Sequence, residues 1–131
     1  MSCMRVPHTP SSAGLVRRSM AAELAPQVPG EVLDAAAVVV SELVGNAVRH
    51  GRALPDGNLL ARWEVADRTL RLEVVDGGTG PQGPVQHARE DAEGGRGLEL
   101  VQALAMTWGS GPGFPGTAVW AELPTVVQLP D

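Results

Sequence analysis

The sequence predicts an α/β (α+β) fold, a two-layer sandwich in which helices pack on one face of a mixed, mainly antiparallel sheet. Three observations predict it. Helical and strand patterns follow in the order ααββ(loop)αββ, whereas a doubly wound parallel sheet would need strand and helix to alternate throughout. Two strand-like runs in "NLLARWEVADRTLRLEVVD" are separated only by a short turn, which is hairpin spacing. The chain has 131 residues, a length that suits one domain with a sizeable core, and no repeat or linker divides it.

The elements can be taken in order. In "SSAGLVRRSMAAELAP" either Ser11 or Ser12 can cap a helix whose Val16, Met20 and Leu24 recur at four-residue spacing, and Pro26 ends it. "PGEVLDAAAVVVSELVGNAVRHG" reads as a longer helix of about 18 to 20 residues, rich in Val and Ala and closed by Gly51 as its C-terminal glycine. In the next run Leu59, Ala61, Trp63 and Val65 alternate with Leu60, Arg62 and Glu64. After the turn, Leu70, Leu72 and Val74 share one face. Residues 77–95 are loop by composition. "GLELVQALA", from about Gly97, is a helix opened by glycines, and "MTWGS" and "GTAVWAEL" form a last antiparallel pair around "GPGFPG". The domain is expected over residues 12–124, with 1–11 and 125–131 as flexible termini.

Composition removes several function classes. The net charge of −5 argues against non-specific nucleic-acid binding. A single cysteine, Cys3, excludes an intramolecular disulfide and a cysteine-based metal cluster. No apolar run reaches the roughly 20 residues of a membrane helix. The first residues lack the apolar centre of a secretory signal, so the expected location is cytoplasmic. All 10 basic residues are arginine, which rules out nucleotide loops that need a lysine at the phosphates.

One stretch invites a misreading. Gly78-Thr79-Gly80-Pro81-Gln82-Gly83 has the form G-x-G-x-x-G after a strand, the pattern of a dinucleotide fold. That pattern requires its third glycine to open a helix. Here Pro81 and Pro84 interrupt it, and the acidic residue about twenty positions on, Glu99, falls in a helical pattern. The alternative parse is Asp76-x-Gly78-x-Gly80, a carboxylate at a strand end that can accept a hydrogen bond from an exocyclic amine, followed by glycines that bring backbone close to a flat ligand. By itself D-G-G is also an ordinary turn.

Two further patterns give the aspartate weight. Glu42, Asn46 and His50 recur every four residues, so they line one helical face, with Arg49 beside them. A carboxylate and a carboxamide one turn apart on an otherwise apolar helix need polar partners, and a hydrated cation with phosphate oxygens would supply them. Gly45 within this helix costs about 1 kcal/mol relative to alanine. Farther on, Gly94, Gly95 and Gly97 precede an apolar-periodic helix, where free backbone N–H groups and a positive dipole end make a phosphate site.

Together these patterns resemble the GHKL (histidine kinase-like) ATPase superfamily, and within it the small anti-sigma factor serine kinases and similar stand-alone regulators. E-L-x-x-N-A-x-x-H-G is present in full from Glu42 to Gly51, D-x-G-x-G runs from Asp76 to Gly80, and Gly95-Arg96-Gly97-Leu98 forms the second glycine box. The resemblance implies a histidine kinase-like ATPase fold that binds ATP and Mg²⁺. It implies Asn46 as the magnesium ligand, Glu42 as the group that orients or deprotonates the attacking hydroxyl, and Asp76, supported by Thr117, as the holder of the adenine amine. Gly78 and Gly80 would shape the adenine pocket. Gly95, Gly97 and Leu98 would form the phosphate loop, with Arg96 and Arg49 within reach of the nucleotide, and residues from about 81 to 94 would be a lid. His50 suits a helix-dipole partner as well as a ligand contact, and His8 and His87 read as surface residues.

For function, the resemblance implies a protein serine kinase that phosphorylates a STAS-type anti-anti-sigma factor and sequesters a sigma factor. It implies no direct contact with nucleic acid or membrane and leaves a homodimer open. The alternatives are a nucleotide-binding regulatory module without useful phosphotransfer and a slow ATP-hydrolysing timer. With no phosphorylatable-histidine helix before the domain and no transducer domain after it, a complete sensor kinase or a gyrase-like machine is not expected.

Overall fold

The computed structural model describes residues 1–78, 95–113 and 115–126. Along the chain it places strand β1 (Ser2–Pro7), helices α1 (Ser12–Leu24) and α2 (Gly30–His50), strands β2 (Asn58–Ala66) and β3 (Thr69–Asp76), helix α3 (Gly95–Leu104), and strands β4 (Thr107–Gly113) and β5 (Gly116–Pro124). The five strands form one sheet in the order β1-β2-β3-β5-β4, and every pairing is antiparallel. The expected two-layer α+β architecture is therefore present.

Side-chain alternation divides the sheet into two unlike faces. Leu70, Leu72 and Val74 of β3 stand opposite Val65, Trp63 and Ala61 of β2 and opposite Leu123, Ala121 and Val119 of β5. All of them belong to or pack on the main core. On the helical side that core takes Val16, Met20 and Leu24 of α1, the stripe Val32, Ala36, Val39, Val40, Leu43, Val44 and Ala47 of α2, and Val101 of α3. Spacing of three and four turns this stripe toward β3 and β5. Each fully buried leucine contributes roughly 1.5–3 kcal/mol, so α2 is held by its apolar face.

The other face carries a small apolar cluster of Leu54, Leu60, Val75 and Ala118 and a ladder of charges. Arg62 bonds Glu73 at 3.0 Å, Arg71 bonds Glu122 at 3.2 Å, and the Arg71 guanidinium lies 4.6 Å from the Trp120 ring centre. No helix described here covers that face.

Several boundaries differ from the sequence reading. Residues 1–11 were expected to be a flexible terminus, yet Ser2–Pro7 form the edge strand β1, in register with β2 from Ser2↔Trp63 to Pro7↔Asn58. Only Val6 of this strand is fully buried. A short edge strand with only Val6 and the partly buried Met4 turned inward lacks the long alternation that marks a strand in sequence. Helix α3 begins at Gly95 rather than near Gly97. Strand β4 runs through Gly109-Ser110-Gly111-Pro112-Gly113, which composition assigns partly to the turn. As the outermost strand it tolerates a proline that an inner strand would exclude. Phe114 and residues 127–131 lie outside the described residues.

The β2–β3 turn holds Asp67 and Arg68 at φ +51° and +63°. Two consecutive left-handed residues in a two-residue loop match the twist of a hairpin, a conformation that Asn-Gly adopts with least strain. The double substitution Asp67→Asn/Arg68→Gly is expected to raise stability by about 1 kcal/mol, read as a higher urea midpoint with an unchanged m-value.

Candidate nucleotide site

Helix α2 is continuous from Gly30 to His50, so Glu42, Asn46 and His50 share the side that their spacing predicts. Glu42 and Asn46 are half-buried and His50 is exposed. Neither Glu42 nor Asn46 is hydrogen-bonded to another described side chain, which leaves a carboxylate and a carboxamide one turn apart at the edge of an apolar helix. The Arg49 guanidinium folds back along the same helix. An added Cβ at Gly45 would stand 3.1 Å from Arg49 Nη1. The glycine thus gives the arginine room to lie against the helix, and that close approach is the physical return on its helix-propensity cost.

The helix ends against the strand that carries the key carboxylate. Gly51 follows α2 with φ −97° and ψ −176°, an extended conformation rather than the left-handed one expected of a C-terminal glycine. Its requirement is clearance. An added Cβ would overlap the Asp76 carboxylate, at 2.7 Å from Cγ, and would stand 2.9 Å from Ala47 O. Gly116 meets Asp76 from β5, where a Cβ would overlap the Asp76 carbonyl oxygen, and Gly77 presses on the Ala53 carbonyl. The Gly77 amide donates to Arg52 O at 2.7 Å. Two glycines, Gly51 and Gly116, thus close on one aspartate, and Gly77 lets the chain beyond it pack on the segment that follows α2.

Asp76 continues the inward series Leu70, Leu72, Val74, so it sits where the core face of β3 reaches its end. It is one of two buried polar residues among those described, 7% exposed. Its Oδ1 accepts the Gly78 amide at 2.7 Å, and Gly78 adopts φ +84° to make that turn. Burial raises the Asp76 pKa above its ordinary value of 3.8; the Gly78 amide and the nearby His8 act in the opposite direction. Thr117 of β5 is the direct cross-strand partner of Asp76 and is half-buried. Side chains of such a pair project from the same face, so register alone brings the threonine beside the carboxylate.

His8, read from sequence as a surface residue, is half-buried, and its Nε2 lies 3.1 Å from the carbonyl oxygen of Ala47. This is the residue that sequence reasoning missed, because nothing in "RVPHTP" signals a contact with a helix some forty positions away (|i−j| = 39). The structure therefore joins the end of the helix that bears Glu42, Asn46 and Arg49 to Asp76 through Gly51, with Gly78 and Thr117 next to the acid at the ends of β3 and β5. Gly95, Arg96, Gly97 and Leu98 form the first turn of α3 rather than a loop before it, and the side chains of Arg96 and Leu98 lie outside the described set. So do Gly80, His87 and the expected lid.

Residues 6–122 match the histidine kinase-like ATPase domain. The chain belongs to that family. No curated protein matches it significantly. As a histidine kinase-like ATPase domain it is an ATP-binding fold, and its residues fit the ligand. The buried Asp76 carboxylate keeps acceptor capacity beyond the Gly78 amide, and Glu42 and Asn46 are half-buried polar groups on the helix that ends at it. Among the described residues no three His, Cys, Asp or Glu side chains converge on a metal position, so a cation beside Asn46 would complete its shell with phosphate oxygens and water. No described helix is long and apolar enough to cross a membrane.

Two outcomes follow for the folded chain. Because the folded-state pKa of Asp76 is raised, the native protein holds this proton more tightly than the unfolded chain does. Its contribution to stability therefore declines as pH rises from about 3.8 through the raised value. Asp76→Asn is expected to be more stable than the parent at pH 7, with the gap narrowing toward pH 4, by urea midpoints at both pH values. Gly51→Ala is expected to lose about 1–3 kcal/mol through overpacking against Asp76. Gly30→Ala, with nothing within 4 Å of the added Cβ, should stay at or slightly above parental stability in the same assay.

Proposed function

We propose that this domain binds Mg-ATP and works as an anti-sigma-factor-type protein serine kinase in the cytoplasm, phosphorylating a STAS-type anti-anti-sigma partner and holding a sigma factor out of transcription. The observation that carries the reading is the junction at Gly51, where the helix bearing Glu42 and Asn46 runs directly into the buried Asp76. One end of that junction suits a base with an exocyclic amine, and the other suits phosphates with a hydrated cation.

In this reading ATP, when bound, supplies an activated phosphoryl group. Asp76 accepts the adenine amine hydrogen, with Thr117 beside it, and Gly78 keeps the approach to the base open. Asn46 holds the magnesium ion, and Arg49 offsets negative charge near the phosphates. The backbone at Gly95 and Gly97, in the first turn of α3, offers unpaired N–H groups to phosphate oxygens. Glu42 takes the proton of the serine hydroxyl on the partner, which raises the nucleophilicity of that oxygen. A protein partner rather than a nucleic acid fits the acidic balance of the chain.

The deciding experiment incubates the domain with γ-labelled ATP and candidate STAS partners. The expected result is label on a partner serine, lost about 10²–10⁴-fold in Glu42→Ala while Mg-ATP binding persists by calorimetry. Asn46→Ala and Asp76→Asn should instead lose nucleotide affinity. The asparagine must turn its carbonyl oxygen toward the Gly78 amide, which leaves an NH₂ facing the adenine amine, donor against donor. Label that reaches no partner, with regulation intact in Glu42→Ala, would identify a nucleotide-binding module without phosphotransfer.

A further inference from the structure

We propose that His8 is a positioning residue for the adenine end of the nucleotide site, holding the last turn of α2 against Asp76 through the Ala47 carbonyl. The inference deepens the ATP reading above and rests on it. Ala47 is buried, immediately follows Asn46, and its oxygen accepts two hydrogen bonds. The Gly51 amide donates at 2.9 Å and His8 Nε2 lies at 3.1 Å. A carbonyl oxygen only accepts, so Nε2 carries the hydrogen and the second ring nitrogen faces elsewhere. Gly51, fixed by the same oxygen, is the residue whose Cα abuts the Asp76 carboxylate. A single oxygen thus refers three groups to one another: the histidine, the helix terminus and the adenine-binding acid.

The segment that carries His8 is itself braced. The Thr9 amide donates to Pro7 O at 2.8 Å, the hydroxyl of fully buried Ser12 donates to the same oxygen at 2.6 Å, and the Ser12 amide donates to Thr9 O at 3.1 Å. These bonds tie the β1–α1 connection to the edge of the sheet, so the imidazole is presented to α2 from a fixed base. The sheet register brings that base near the acid: Val6 pairs with Leu59 on β2, one place along from the Leu60↔Val75 pairing that precedes Asp76. The electrostatic influence of His8 on Asp76 is consistent with this proximity. Groups that orient a ligand-contacting side chain without touching the ligand commonly control affinity through small displacements.

The test compares wild type, His8→Ala and His8→Gln by calorimetric titration with Mg-ATP and Mg-GTP, alongside urea midpoints without nucleotide. Glutamine places an N–H donor close to the position of imidazole Nε2, so it can remake the bond to Ala47 O. The expected result is a loss of about fivefold or more in Mg-ATP affinity for His8→Ala, a smaller change for Mg-GTP, and near-parental values for His8→Gln. If wild type itself fails to bind Mg-ATP, the nucleotide reading falls and takes this inference with it. If wild type binds and His8→Ala binds equally well, or if both nucleotides weaken together without rescue by glutamine, the positioning role is overturned and His8 is structural only. Should His8→Ala fail to fold, His8→Leu, which fills the space but carries no donor, takes its place: folded with the preference for Mg-ATP over Mg-GTP reduced and restored in His8→Gln supports the role, and folded with parental preference overturns it.

Discussion

The close approach of Gly51 to the Asp76 carboxylate is the constraint on which the rest of this structure depends. It makes the C-terminus of α2 and the end of β3 a single packed unit, and it does so with a residue whose only qualification is the absence of a side chain. Every other part of the candidate site is placed relative to that contact. Asn46 and Glu42 lie one and two turns back along a helix that cannot shift without moving Gly51. Thr117 is fixed by register with Asp76, and Gly116 next to it must also be small because the Asp76 backbone occupies the space. A buried ionised carboxylate is unfavourable in such surroundings. The Gly78 amide offsets part of that cost, and ligand donors are suited to offset the remainder.

The two faces of the sheet divide the work. The inner face, with Leu70, Leu72, Val74 and their cross-strand partners, anchors α2 along most of its length, and the contact of His8 with Ala47 O adds a polar bond at the end of the helix. The outer face holds its strands with the Arg62–Glu73 and Arg71–Glu122 pairs and the stacking of Arg71 on Trp120. Partly exposed pairs of this kind are each worth at most about 1 kcal/mol. The stability of the scaffold therefore rests on the apolar inner layer, and that layer is continuous up to the residue before Asp76 in the inward series.

The sequence was legible where periodicity or a strict spacing left one solution. Val16, Met20 and Leu24 marked α1, the alternation from Leu59 to Val74 marked the hairpin, and the spacing of Glu42 and Asn46 put them on one face. It was less legible where a residue acts through a distant neighbour. The role of Gly51 looked like helix termination because a glycine after a helix is most often left-handed, whereas here its φ is ordinary and the reason lies in Asp76, distant in sequence. β1 has one fully buried residue, Val6, with Met4 only partly buried against the core, and a strand recognised mainly by its pairing leaves almost no trace in composition. His8 lacked any local signal for the same reason. The extension of β4 through glycines and Pro112 was hidden because edge position, which excuses the proline, is a property of the sheet and not of the segment.

Several choices in this chain work against stability, and most of them gather in one place. Gly45 weakens the centre of α2 but admits Arg49 along its surface; Asp76 is charged where the core ends; Gly77 and Gly116 give up side chains to let backbone segments meet. Local violations that cluster around a single acid are what ligand chemistry demands and folding alone does not. The left-handed Asp67-Arg68 turn shows the contrast. It is also unfavourable, yet it lies at the opposite end of β3 from Asp76, where it closes the hairpin and its Arg68 O accepts the Thr125 amide at 2.9 Å. That distinction, between strain that serves the twist of two strands and strain that surrounds a half-satisfied carboxylate, sets the end of β3 apart from the rest of the sheet independently of any motif.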